Sequence, residues 1–228
     1  MRARDGVDRV LSVALVAAAV VMAAAVTYRE FASQGQAAIP RQVTAAPEYH
    51  DDWRSFLSNA RYLTDSVAPV HLIEFGDLEC PACRRFHEVT IPALQARFGS
   101  QIAISFVHLP LAIHRFARLA AHASECAASQ ERFAEFVNVT FANQDSLGLK
   151  SWSSLAVDAS IPDTAAFSTC RGRPEAATLV DSGLALSRRL RINSTPTVMV
   201  NGWRVPGPSL EELSRVTIEV LERRKPFP

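Results

Sequence analysis

Apolar and polar positions fall into blocks of different period, and each block predicts an element. From Val10 to Val26 the sequence reads VLSVALVAAAVVMAAAV, with no charge and with Ser12 as its one polar residue. Alanine and valine fill every face of this run, and Arg2, Arg4 and Arg9 precede it. Such a run predicts a signal peptide or a membrane anchor. A transmembrane helix over residues 10–28 is expected, with 1–9 in the cytoplasm and the remainder outside. The alanines at 23–25 keep cleavage open as the alternative, because small residues suit a signal-peptidase site. Residues 29–46 lack apolar periodicity and are rich in Ala, Gln and Pro, the composition of a tether.

Residues 47–228 form the expected domain. Asp51–Ala60 suggests a short helix with Trp53, Phe56 and Leu57 on one side. Val70–Phe75 (VHLIEF) is a short, bounded apolar run of the kind a buried strand shows. A turn and a helix follow, with Phe86, Val89, Leu94 and Phe98 inward and a kink at Pro92. Gln101–Val107 is a second strand, so the order strand, helix, strand opens an α/β domain with parallel pairing. The middle is helical: His114–Ser129 puts Phe116, Leu119, Ala120, Ala123, Cys126 and Ala127 on one stripe. Phe133, Phe136, Val137 and Phe141 suggest another helix, and 150–158, 162–170 and 174–190 allow three more. Thr197–Val200 is a strand, Asn201-Gly202 a hairpin turn into Trp203–Val205, and Ser209–Glu212 a capping box for a last helix. That helix turns Leu213, Val216, Val220 and Leu221 inward. A helical block over about 110–190 thus interrupts a β-rich frame.

Composition narrows the function classes. The 228 residues carry 24 basic and 23 acidic side chains, which excludes the diffuse positive field of a nucleic-acid binder. The hydrophobic share of 48% excludes disorder for most of the chain. No coiled-coil or dimerisation segment is visible, and a monomer is expected. Four cysteines, Cys80, Cys83, Cys126 and Cys170, are too few for a disulfide scaffold at this length, yet their even number suits a domain in an oxidising compartment.

Cys80-Pro81-Ala82-Cys83 sits where the predicted helix begins. A sulfur there lies near unpaired backbone amides and the positive end of the helix dipole, so the thiolate is favoured over the thiol. Arg84, Arg85 and His87 are expected to add positive charge. Cys80 and Cys83 lie one turn apart on one face, a spacing that suits disulfide exchange, with Cys80 exposed and reacting and Cys83 buried and resolving. Two alternatives stand beside this: a zinc site completed by His87, for which the spacing is poor, and a purely structural disulfide, which so short a loop would stabilise little. Glu74, inside the apolar strand, is either buried with a raised pKa, ready to exchange a proton with Cys83, or on an exposed strand face. No metal or bound cofactor is required, because the redox chemistry is internal to the sulfur pair. His108, His114 and His122 share no metal spacing and are read as surface or helix-cap residues. Asn138 and Asn193 match glycosylation acceptors by chance.

The strand with Glu74, FGDLECPACRRF, HLPLAIHRFARLAAHASECA, QERFAEFVNVTF and STPTVMVNG, taken in order over residues 66–224, resemble the DsbA-like branch of the thioredoxin superfamily. The resemblance implies a thioredoxin-like fold with an inserted helical subdomain. It implies a cis Pro196, with Thr195 and Pro196 packed on the Cys80-Cys83 pair and Thr195 recognising an extended substrate. It also implies a structural disulfide between Cys126 and Cys170, with two free buried thiols as the alternative; by loop entropy such a bond is worth roughly 4 kcal/mol. Ala82 stands where oxidant members often carry His or Tyr. The implied function is extracytoplasmic thiol:disulfide exchange with reduced or misoxidised exported proteins, as an oxidase served by a membrane quinone-linked reoxidase. A reductase or isomerase fed by a membrane electron donor, or a tethered binding module without catalysis, are the alternatives.

Overall fold

The computed structural model describes residues 17–18, 20–23, 47–173, 177–205 and 208–227. Most of the expected anchor and the whole tether lie outside them. No helix among the described residues is long and apolar enough to cross a membrane. Two compact units are distinguished, Met1–Val43 and Thr44–Pro228, and the second carries the fold that follows.

The apolar run VHLIEF forms β3 (Val70–Gly76), the centre of a six-stranded sheet. β3 pairs in parallel with β4 (Ile102–His108), the neighbour it reaches by a helical crossover, and antiparallel with β5 (Thr197–Val200). β5 continues through the Asn201-Gly202 hairpin into β6 (Trp203–Val205), where both turn residues take positive φ, 44° and 90°. Two short strands not expected from the sequence, β1 (Glu48–Tyr49) and β2 (Arg61–Tyr62), close the edges on β6 and β4. At two residues each, they are too short for a period to register.

Successive β3 side chains face opposite ways, and this sorts the core. Val70 and Leu72 pack with Leu94, Phe98, Leu213 and Val216 on one face; Ile73 and Phe75 pack with Trp53, Phe56, Leu186 and Met199 on the other. The first face is covered by the crossover helices α1 (Pro81–Arg85) and α2 (Ile91–Phe98) and by the last helix, α8 (Leu210–Leu221). The second is covered by the 3-10 helix Trp53–Asn59 and by α7 (Thr178–Arg189). Between β4 and α7 stand α3 (Ala117–Ala128), α4 (Phe133–Ala142), α5 (Trp152–Asp158) and α6 (Thr164–Arg171), with a core of Phe136, Leu155, Phe167 and Cys126. Cys126 and Cys170 are joined by a disulfide that ties α3 to α6. The residues 174–176, expected at the start of the helix before β5, lie outside the described set.

Three expectations are corrected. The helix is not regular up to Pro92: a π turn, Phe86–Thr90, precedes α2, and the Ile91 N–H reaches back to the Phe86 carbonyl. The wider turn makes room for the proline ring. It also shifts the inward face, leaving Val89 exposed, and Leu119 on α3 is likewise exposed. His108 is not a surface residue. It is buried, and its Nε2 donates to Glu125 at 2.9 Å, while Arg61 grips the other carboxylate oxygen at 2.7 and 3.0 Å. Burial alone would raise the Glu125 pKa; the bonds from His108 and Arg61 hold it below the ordinary carboxyl range.

Candidate active site

β3 ends at Gly76, where a Cβ would stand 2.3 Å from the Phe106 ring, so only glycine lets the chain leave the sheet there. Asp77 then shapes the turn: its Oδ1 accepts from the Glu79 N–H at 2.8 Å, and its carbonyl accepts from the Cys80 N–H at 3.1 Å. Cys80 is the extended residue before α1, with φ −76° and ψ 122°, and Pro81 takes the first helical position, where no N–H is needed. Gln144 donates to the Leu78 and Cys80 carbonyls at 3.0 and 3.1 Å and fixes the turn from the helical block. Leu78, Cys80 and Cys83 share a core cluster with Phe106, Ala120, Phe133, Val137 and Phe141, so the sulfurs are seated between the sheet and the insertion.

Both cysteines are free thiols. Cys83 is fully buried, and Cys80, expected to be exposed, is only 7% accessible. The covering chain is the segment before β5. The Thr195–Pro196 bond is cis, and the Thr195 carbonyl accepts from the Cys80 thiol at 3.6 Å. Thr195 Oγ1 is buried without a partner in this dithiol form.

The two sulfurs are displaced in opposite directions. Cys80 is lowered to about 5, first by the hydrogen bond from Cys83, against the cost of burial, then by Thr195 and by the backbone amides of Cys83 and Ala82. Burial pushes Cys83 well above the ordinary thiol range, and the proton it gives to Cys80 and the charge of Glu74 push the same way. Arg84 is turned aside to Glu88 and Asp145, at 3.0 and 2.9 Å, and Arg85 is exposed. The main influences on Cys80 are thus its partner thiol, Thr195 and backbone amides, not the arginines the sequence offered.

Glu74 is buried at 1% accessibility, on the same strand face as Val70 and Leu72, which is the face α1 covers. Its Oε2 meets His87 Nε2 at 2.7 Å, while its Oε1 has no partner. His87 is therefore engaged below the pair and does not join Cys80 and Cys83 as a third metal ligand. Among the described residues no group of three or more His, Cys, Asp and Glu is placed to hold a metal.

Sequence reasoning passed over Asp77, Glu79 and Gln144, and read His114 only as a surface or helix-cap residue. Asp77 Oδ2 accepts from the Leu111 N–H and meets His114 Nδ1, each at 2.7 Å, and Glu79 accepts from the Phe116 N–H. Two acids within FGDLEC, just before a helix start, are a visible signal, but their partners lie more than thirty positions away.

Residues 57–219 match a family model described as Thioredoxin. The chain is similar to the Na(+)/H(+) antiporter NhaA 1 of Mycolicibacterium gilvum, 36% identical over 62% of this chain and 23% of that protein. It is also similar to the Disulfide bond formation protein D of Bacillus subtilis, 29% identical over 59% of this chain and 64% of that protein. The chain thus spans less than a quarter of the length of the antiporter relative. Among solved structures, BdbD from Bacillus subtilis in its oxidised form superposes with a TM-score of 0.65 and 24% identity, covering 73% of this chain and 95% of that one. Wolbachia pipientis alpha-DsbA1 gives a TM-score of 0.61 and 22% identity over 72% and 92%. These likenesses show the fold.

Proposed function

The chain belongs to the thioredoxin family, and on that premise we propose that it is a thiol:disulfide oxidoreductase, working as an oxidase of exported proteins through Cys80 and Cys83. The observation that carries this reading is the placement of two free thiols on one short turn at a helix start, with the cis Thr195–Pro196 bond closing over Cys80; the opposite pKa shifts of the two sulfurs agree with it.

A client thiolate attacks Cys80 Sγ of the oxidised pair. The bond between the two sulfurs breaks, its electrons pass to Cys83, and the high proton affinity of that buried site makes it take up a proton. Glu74, whose charge acts on Cys83, is the group we propose to exchange this proton. A second client thiolate then attacks the client sulfur of the mixed disulfide, and Cys80 leaves as the stable thiolate. The client loses two electrons and two protons; one proton stays on Cys83 and the other goes to solvent. The backbone at Thr195, beside Cys80, offers an edge along which an extended client pairs.

The same displacement supports the oxidase direction. A thiolate stabilised at about 5 favours the reduced pair at neutral pH by about a hundredfold over an ordinary cysteine, equivalent to about 60 mV toward oxidant behaviour. The reduced pair then requires reoxidation, for which a membrane quinone-linked partner is the class we propose. Location outside the cytoplasm, at a membrane, is supported by the apolar run Val10–Val26 and by the Cys126–Cys170 bond, which persists in oxidising compartments. Trapping tests the activity. A Cys83→Ala variant, expressed in the full chain, accumulates mixed disulfides with exported proteins through Cys80; their absence, with Cys80 intact and alkylatable, would overturn the reading.

A further inference from the structure

Asp77 touches the redox turn through both its backbone and its side chain. Its N–H points at Cys83 Sγ at 3.5 Å, its carbonyl takes the Cys80 N–H at 3.1 Å, and its carboxylate holds Leu111 and His114 at 2.7 Å each. The carboxylate is buried at 1% accessibility, and an ionised carboxylate only accepts, so His114 Nδ1 carries a proton. Leu111 is clamped by Asp77 and Phe116 by Glu79, which fixes the loop on both sides of His114. The ring is half-buried against the turn that carries Cys80. The charges that act on it are Asp77, Cys80 and Glu79, all from that turn; burial works against the imidazolium, and these three outweigh it, so the pKa is raised. The arginines of α1, by contrast, are engaged by Glu88 and Asp145 or exposed.

We propose that His114, fixed by Asp77, whose backbone bonds both Cys80 and Cys83, is a positioning residue that places an imidazole against the turn of the redox pair and so sets how oxidising the Cys80–Cys83 pair is. The inference rests on the oxidoreductase reading. No proton passes to His114 in it: when the disulfide opens, the electrons from the client settle on the two sulfurs, Cys83 is protonated, and Cys80 is released as a thiolate on the turn to which His114 is bound through Asp77. A preorganised cation stabilises that product without reorganising in the step.

The test is a pair of variants, His114→Gln and His114→Lys, compared with the wild-type chain in two measurements: the ultraviolet titration of the Cys80 thiolate and the equilibrium with glutathione. The Gln variant is expected to raise the thiolate midpoint by about half to one pH unit and to shift the equilibrium toward the disulfide by about three- to tenfold. The Lys variant, which restores a positive charge, is expected to return part of both shifts. A folded Gln variant with both quantities unchanged overturns the proposal, and so does a Lys variant that behaves like Gln. A wild-type chain that exchanges no disulfides overturns the oxidoreductase reading itself, whereas an exchanging wild type with an unchanged Gln variant removes only the role of His114.

Discussion

Cys80 and Cys83 are the same residue type three positions apart, and their difference is made by what surrounds them. Cys80, at about 5, is thiolate at neutral pH, so its alkylation rate is expected to be flat above about pH 6 and to fall as pH drops through the midpoint. The same depression gives the reduced form a stability the oxidised form lacks. A folded pKa below the unfolded one contributes fully above the unfolded value, near 8.5, and is lost as pH falls through 5. At pH 7 the reduced chain should be more stable by about 2 kcal/mol after allowing for screening at the rim, and equal denaturation midpoints for the two forms at that pH would contradict this. Glu74 costs stability, since it is buried with one oxygen unpaired. Glu74→Gln, which can still bond His87, is expected to stabilise the fold by about 1 kcal/mol while slowing exchange, as urea melts and single-turnover kinetics would show. The motif and the acid in the strand were legible in the sequence because each breaks its local pattern. Asp77, His114 and Gln144 were not, because each acts across the fold: Gln144 on a turn 64 positions away, His114 on an acid 37 away.

At the scale of elements, period and punctuation predicted β3, β4, the Asn-Gly hairpin and the capped last helix, whose Ser209 side chain accepts from the Glu212 N–H. What failed was the inward face after Phe86. One extra residue in a π turn rotates the side chains that follow, and a pattern read at 3.6 residues per turn carries no sign of it. The cluster of Arg61 with the buried His108 and Glu125 was equally hidden, because it joins β2, β4 and α3, and β2 itself was not foreseen. Breaking it by Glu125→Ala leaves the buried His108 without its partner and is expected to cost about 1–3 kcal/mol in urea unfolding. Because the Glu125 carboxyl is held below its ordinary range, its contribution is present above the unfolded carboxyl pKa and is lost as pH falls through the lower folded value.

At the scale of the molecule, the two sulfur pairs have opposite tasks. Cys126–Cys170 braces the helical insertion through a separation of 44 residues, and replacing both with serine is expected to lower stability by roughly 4 kcal/mol under non-reducing conditions. That loss should leave the Cys80 thiolate midpoint unchanged, since none of the groups that set it belongs to α3 or α6. The Cys80–Cys83 pair, seated in the cluster where the insertion meets the sheet, must open and close. The most direct test of the account is therefore the equilibrium of the purified full chain with glutathione. An oxidant is predicted: the Cys80–Cys83 pair should be reduced by buffers in which ordinary structural disulfides stay closed. A pair that remains a disulfide under those conditions, with a strongly reducing potential, would contradict it.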